Sequence, residues 1–368
     1  MQVDIFGNTH LAVPPTSGIK YAGSKLKILP YIVDVISTLD IKSILDGFSG
    51  STRVSQACAR LGLDTTANDI SIWSEIFGKC FLLNDAPAKE YQELLTHLNN
   101  LQGHDGWFTE NYGGDVHDGL KRPFQRKNTR KLDAIREEID ILSLSDLQRS
   151  VALASLILAL DSVDNTLGHY AAYLSEWSPR SYNDLFLKLP ALFIPRGKNT
   201  VLRADIFDSI RNREFDLAYF DPPYGSNNEK MPPSRVRYAS YYHIWTTVIL
   251  NDQPKLFGKV NRREDTRDQF SSSVFEEFRR DVDGHFIAMK AIKRLIEETR
   301  SKYILLSYSS GGRATRAELM DIINSAGKLL KAIDVDYKQN VMASMRWTNE
   351  WINSDGTHHE YLFLMEKY

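Results

Sequence analysis

Ser43-Ile44-Leu45-Asp46-Gly47-Phe48-Ser49-Gly50-Ser51 reads as a short apolar strand that runs into a glycine-bearing loop. A helix carrying Val54, Ala57, Cys58 and Leu61 on one side follows and stops at Gly62. Thr65-Thr66-Ala67-Asn68 is the next strand, with Asp69 at its carboxyl end. Strand, glycine loop, helix, strand, acid opens a doubly wound α/β sheet, whose ligands bind at the carboxyl ends of its strands. The loop lacks the spacing of a dinucleotide fingerprint and has no Walker lysine, which disfavours an oxidoreductase or a P-loop enzyme. It suits a cofactor without phosphates: Asp46 can receive an α-amino group, and Gly50 lets the backbone come close. A glycine after a strand is also an ordinary turn.

Upstream, Tyr21-Ala22-Gly23-Ser24-Lys25 precedes an amphipathic helix with Leu26, Leu29, Ile32, Val33 and Ile36 on its apolar side. Downstream of residue 71 the alternation of strand and helix stops. Trp73 to Leu83 and Ala88 to Leu101 look helical, then Gly103, Gly106, Trp107, Phe108, Tyr112, Gly113 and Gly114 read as a loop. A helix with Leu132, Ile135, Ile139 and Leu142 on one face and another over roughly Leu147 to Thr166 complete a helical insert, 71–200. The sheet resumes with Thr200 to Ala204, closed by Asp205, which can hold a cofactor's adenine as Asp69 can hold ribose hydroxyls. Tyr303 to Ser307 is a further strand, and Lys331 to Lys338 with Tyr361 to Met365 are expected to form a terminal antiparallel pair.

The chemistry concentrates in Phe215-Asp216-Leu217-Ala218-Tyr219-Phe220-Asp221-Pro222-Pro223-Tyr224, a buried strand ending in Asp-Pro-Pro-Tyr. The carboxylate of Asp221 and the carbonyl of Pro222 can each accept one N–H of an amino group on a flat ring, while Tyr224 stacks on the ring. Acceptors that draw those hydrogens out of the ring plane localise a lone pair otherwise delocalised into the ring. Pro-Pro also ends strands as a plain turn, but this motif requires a preceding strand and has one.

The 368 residues, 42% hydrophobic and 25% charged with a formal net charge of −2, are ordinary soluble globular material. A nucleic-acid site must therefore be a local patch. Lys121, Arg122, Arg126, Lys127, Arg130 and Lys131 stand together without an acid, either as a solvated face or as phosphate contacts. Arg235, Arg237, Arg262 and Arg263, interleaved with Tyr238 and Tyr242, follow the Asp-Pro-Pro-Tyr and can hold DNA beside an extruded base. Cys58 and Cys80 make no disulfide framework, the N-terminus carries no basic segment followed by an apolar core, and Val151 to Leu160 is too short to span a bilayer. A cytoplasmic protein with no membrane segment is expected. No histidine–cysteine spacing suggests a metal, and His358-His359 reads as a polar loop.

Taken in order, Tyr21 to Lys25, Asp46 to Gly50, Asp69, a long insert, Asp205 and Asp221 to Tyr224 resemble the Dam-type adenine-N(6) DNA methyltransferases, specifically restriction-modification methylases of the alpha motif arrangement. Asn165-Thr166-Leu167-Gly168-His169-Tyr170, Tyr242-His243-Ile244-Trp245-Thr246-Thr247 and Leu306-Ser307-Tyr308-Ser309-Ser310 extend the likeness over nearly the whole chain. The resemblance implies an α/β, Rossmann-like S-adenosylmethionine-dependent sheet of seven mostly parallel strands built from 1–70 and 201–368, with 71–200 inserted as the target-recognition domain. It further implies that Tyr21, Ala22, Gly23, Lys25, Asp46, Phe48, Ser49, Gly50, Asp69, Asp205 and Ile206 bind S-adenosylmethionine. Asp221, Pro222, Pro223 and Tyr224 would hold a flipped adenine of double-stranded DNA. A bacterial, nucleoid-associated location and a separately encoded endonuclease acting on the same site go with that family. Thr52 departs from the pattern, standing where many relatives carry a further glycine. Rival substrates are cytosine in DNA, adenine in RNA and glutamine in protein, the last disfavoured by Asp221 where such enzymes carry Asn. A catalytically dead DNA-binding regulator is the alternative from another class.

Overall fold

The computed structural model describes residues 2–3, 9–10, 12–115, 122–225, 238–267, 273–277, 279–337 and 358–368. Its large sheet has seven strands: β1 (Ser43–Asp46), β2 (Asp64–Asp69), β3 (Thr200–Arg203), β4 (Glu214–Phe220), β5 (Arg300–Ser309), β6 (Gly327–Tyr337) and β7 (His358–Lys367). They lie in the order β3-β2-β1-β4-β5-β7-β6. β1 to β5 run parallel, and β7 runs against both β5 and β6. This is the mostly parallel, Rossmann-like methyltransferase sheet that the motif order implies. From β1 the chain builds outward to β3, then returns and lays β4 against the other edge of β1. The strand order reverses there, and a crevice opens at the carboxyl ends of β1 and β4.

Period-two alternation divides the apolar side chains between the two faces. Leu217 and Tyr219 pack with Ile32, Val33 and Ile36 of α1 (Leu29–Ser37) and with Val54 and Ala57 of α2 (Arg53–Arg60). Ala218 and Phe220 enter the opposite core with residues of the helices Ile287–Glu298 and Arg316–Ala326. The helix expected to begin near Leu26 begins instead at Leu29. Lys25–Lys27 forms a 3-10 turn that leaves Leu26 exposed and turns Lys25 inward.

Between β2 and β3 come α3 (Ile72–Leu82), α4 (Gln92–Asn100), α5 (Trp107–Tyr112), α6 (Arg126–Ile141) and α7 (Asp146–Val163). Phe77, Phe81, Leu95, Phe108, Leu132, Ile135, Val151 and Leu156 share a core with Trp245 and Val248 of the later helix His243–Leu250. α3 serves both bodies. A side chain at Gly78 would lie 2.8 Å from Val201 of β3, so glycine lets α3 press onto the sheet while Phe77 and Phe81 point into the helical core. α7 is nearly encircled by other elements, as its apolar run suggests, and starts at a capping box between Ser145 and Gln148. Among the described residues no helix is long and apolar enough to cross a membrane.

Two local readings are corrected. His358 and His359 open β7 rather than forming a loop. The glycine- and aromatic-rich segment contains a helix, α5, whose cap comes from far away in sequence. The Asp133 carboxylate of α6 accepts from the backbone N–H groups of Gly106 (3.1 Å), Phe108 (2.8 Å) and Thr109 (2.9 Å), and from the Thr109 hydroxyl. A side chain at Gly106 would meet Asp133 at 2.8 Å, which leaves glycine as the residue that fits. Replacing Asp133 with Ala strands these buried donors and is expected to cost about 3 kcal/mol. A lowered denaturant midpoint checks it, and an unchanged midpoint refutes the cap.

Candidate active site

Asp46 ends β1, Asp69 ends β2, Asp205 follows β3 and Asp221 follows β4, so the four predicted acids stand at one edge of the sheet. Lys25 reaches the same place from the N-terminal segment. Its ammonium lies 2.8 Å from Asp221 Oδ1 and 2.7 Å from Oε1 of Glu360, and donates to the Tyr224 hydroxyl at 2.6 Å. The Tyr224 hydroxyl also contacts Asp221 Oδ1 and Glu360 Oε1, to which the Ser307 hydroxyl donates at 2.8 Å. Burial pushes the Asp221 carboxyl up to about 6, with Lys25 opposing and Glu360 adding to the rise. Lys25 is raised despite its burial, because Asp221 and Glu360 together outweigh desolvation. Pro222 is buried under the turn, and the Tyr224 ring packs 4.7 Å from that of Tyr308.

Opposite this cluster stands the glycine loop, whose residues could receive a ligand. Asp46 is 1% exposed, and its Oδ2 accepts from the backbone and hydroxyl of Ser55. Its Oδ1 is buried with no hydrogen-bond partner. An orphaned carboxylate oxygen at this depth needs a donor, and an α-ammonium group fits it. Burial first, then the Asp221 and Asp69 charges, push Asp46 up to about 7. A side chain at Gly47 would lie 2.6 Å from Phe220, and Gly50 has a φ of +48° and donates its N–H to Asp69 Oδ2 at 2.9 Å. Thr52, the departure noted above, has a φ of +59°, so the left-handed backbone that favours glycine is kept here at the cost of strain. Ser49 bonds Ser74, and Phe48 packs edge-on against Phe220 and Phe275. The Tyr21 ring lies over Gly50 and beside Trp73 and Tyr242, and the Tyr242 hydroxyl accepts from the N–H of Ala22 at 2.6 Å. Gly23 adopts a φ of +88° with the Tyr238 hydroxyl close by.

Asp69 keeps Oδ1 on Ser71 and is raised by burial, while Asp205 is exposed and caps the helix that begins at Ile206, itself buried. Two residues escaped the sequence reading. Ile70, beside Asp69, is a 76% exposed apolar side chain at the same edge of the sheet; its signal is an apolar residue directly after the acid that ends the strand. Glu360 has no local signal at all. Among the described residues no group of three or more His, Cys, Asp or Glu is arranged to hold a metal ion.

The basic residues are more scattered than their sequence order suggests. Arg126 and Arg130 pair with Asp105, and Lys127 pairs with Asp184 at 2.6 Å, so acids from other segments neutralise much of this run. Arg122 packs against Gly114. Arg262 donates to Ser240 and Thr266 and lies over the Phe257 ring, while Arg263 is 3% exposed with its guanidinium on Asp252 and Asp265. Tyr242 is buried in the wall behind Ala22 rather than facing outward. Lys121, Arg235 and Arg237 lie outside the described residues.

A family model described as D12 class N6 adenine-specific DNA methyltransferase matches residues 21–274, which takes in the Lys25 turn, the glycine loop, the insert and the Asp-Pro-Pro-Tyr. Type II methyltransferase M.NlaIII of Neisseria lactamica is 27% identical over 95% of this chain and 99% of its own length. Modification methylase StsI of Streptococcus sanguinis (27%) and type II methyltransferase M.FokI of Planomicrobium okeanokoites (26%) match 83% and 95% of this chain, which spans 46% and 53% of their lengths. The chain belongs to the D12 class of N6 adenine-specific DNA methyltransferases.

Proposed function

We propose that this chain is the modification half of a restriction-modification system, methylating the amino nitrogen of adenine at one site in duplex DNA with S-adenosylmethionine as donor. The orphaned Oδ1 of Asp46, set across the crevice from Asp221, carries the reading. Bound there, S-adenosylmethionine supplies the methyl group as a sulfonium electrophile. Asp46 takes its ammonium, Asp69 its ribose hydroxyls and Asp205 its adenine amino group, with Tyr21, Ala22, Gly23, Phe48, Ser49, Gly50, Ile70 and Ile206 lining the cleft. Asp221 and the Pro222 carbonyl accept the two N–H groups of the target, and the ring of Tyr224 lies along its face. The adenine must leave the duplex to reach them. Asp221 need not be a strong base, because the amine becomes acidic once it carries the methyl group and then gives its proton to the carboxylate.

Residues 71–200 supply the recognition surface in this reading, with Arg122, Arg126, Lys127 and Arg130 as its exposed or half-buried cations and Lys121 as a further candidate. Arg262, Arg235 and Arg237, from the segment after the Asp-Pro-Pro-Tyr, are candidates for contacts beside the extruded base. M.NlaIII and M.FokI are named type II methyltransferases and StsI a modification methylase, which is consistent with a cognate endonuclease acting on the same word. Single-molecule sequencing of DNA from expressing cells would show methyladenine within one recurring context; methylation without any context would contradict site specificity.

Replacing Asp221 with Ala should reduce labelled-methyl incorporation into DNA by about 10³-fold or more, and turnover like that of the wild type would sink the mechanism. A second expectation concerns pH. Asp46 is ionised above about pH 7 and neutral below it, and a neutral carboxyl cannot hold an ammonium. The donor's dissociation constant should therefore rise about tenfold for each unit below pH 7. Calorimetry on the wild type and on Asp46→Asn checks it: the slope should vanish in the variant, and a flat wild-type profile would refute the assignment.

A further inference from the structure

Glu360 is absent from every motif considered above, yet it is the group most closely shared with Asp221. Because β7 runs antiparallel, its first residues lie at the carboxyl edge of β5, where Glu360 pairs with Ser309. The side chain is thereby delivered beside the end of β4. It is 8% exposed, as is Lys25. Two carboxylates, one ammonium and one phenol thus form a largely buried cluster, with the Lys25, Asp221 and Glu360 side chains 9%, 14% and 10% exposed. Such a cluster persists only if each charge keeps a partner.

The donors are fewer than the acceptors want. Tyr224 has a single hydroxyl proton and stands between Asp221 Oδ1 and Glu360 Oε1, so it donates to one of them at a time. Lys25 lies 2.8 Å from the first carboxylate and 2.7 Å from the second. In the unloaded site Asp221 Oδ1 is therefore satisfied by Lys25 and Tyr224. An incoming adenine amino group that takes Oδ1 displaces one of them, and an ammonium left unpaired at this depth is strongly disfavoured.

We propose that Glu360 is a positioning residue for methyl transfer, the alternative acceptor onto which the Lys25 ammonium and the Tyr224 hydroxyl shift when Asp221 takes the N–H of the target amine. The role rests on the adenine-methyltransferase reading above. Ser307 holds Glu360 Oε1 in place for the exchange. The charged and titratable groups around Asp221 are Lys25 and Tyr21 from the N-terminal segment, Asp46 from β1, Tyr219 and Tyr224 from β4 and its turn, Tyr238 and Glu360. Of these, Glu360 is the carboxylate that shares the Lys25 ammonium with it.

The test is single-turnover methylation of an adenine-containing duplex, measured against pH, for the wild type, Glu360→Gln and Glu360→Asp. In the wild type the rate should fall as Asp221 is protonated, near pH 6. Removing the Glu360 charge leaves Lys25 wholly on Asp221, so Glu360→Gln should be about tenfold slower or worse. Its acid limb should move to lower pH, because a repelling charge is gone and Lys25 grips harder. Donor affinity should stay unchanged. Glu360→Asp keeps the charge, so its limb should stay near that of the wild type with a smaller loss of rate. A Glu360→Gln enzyme with the wild-type rate, or one slowed without any movement of the limb, overturns the proposal. Should that variant fail to fold, a wild-type rate in Glu360→Asp overturns it, and a slowed rate at unchanged donor affinity supports it. A wild-type chain that transfers no methyl group to DNA adenine removes the parent reading, and this role with it.

Discussion

The ammonium of Lys25 is what allows two carboxylates and a tyrosine hydroxyl to share one buried pocket at the end of β4. Without it, Asp221 and Glu360 would repel each other in a medium of low dielectric constant, and one of them would have to take up a proton. With it, the Asp221 carboxyl is pushed up only to about 6, because Lys25 opposes burial and the Glu360 charge. Much of the remaining structure keeps this lysine where it is. Arg53 of α2 bonds Thr16 and Gly18, and Gln56 bonds Ser17 from both its donor and its acceptor. On the other side Lys20 bonds Asp161 and Asp164 at the end of α7. The N-terminal segment is thus tied to the sheet and to the helical body at once, and Lys25 projects between them.

That double tether gives the insert a structural part beside the recognition part proposed for it. Asp164 is 1% exposed and pairs with both Lys20 and Arg180, while Tyr242, packed into the helical core, holds the N–H of Ala22. A shift of the helical body against the sheet would be felt first at residues 20 to 22, directly beside the cleft. Coupling of this sort needs no long chain of contacts, because the segment is itself the contact between the two bodies.

What could be read from the sequence was whatever announces itself locally. An apolar run ending in an acid marks β1 and β4, since a central parallel strand is buried on both faces, and a short threonine-rich run ending in Asp69 marks β2. In open α/β sheets the ligand site lies just past such strand ends. The order of those runs was enough for the sheet, the crevice and four of its acids. Features whose cause lies elsewhere in the chain were not legible. α5 was hidden because its cap, Asp133, sits on another helix. The basic run looked unpaired because Asp105 and Asp184, which neutralise it, are distant in sequence. Glu360 was hidden for the same reason: a lone acid at the start of a strand acquires meaning only when the reversal of β7 brings it to Lys25.

The charges around the crevice also bear on how a neutral-to-acidic protein handles a polyanion. Among the described residues Asp221 and Glu360 hold the ammonium of Lys25 while Asp46 and Asp69 end the neighbouring strands, and burial raises the Asp46 carboxyl with the Asp221 and Asp69 charges adding to the rise. In the proposed function these carboxylates would hold phosphates off while an uncharged base turned out of the stack enters. The same field favours a donor carrying both a sulfonium and an ammonium. Transfer removes the sulfonium charge, so the spent donor is held less strongly than the fresh one. On the proposed function, then, the acids at this edge of the sheet would serve to separate a base from its backbone and a full donor from an empty one.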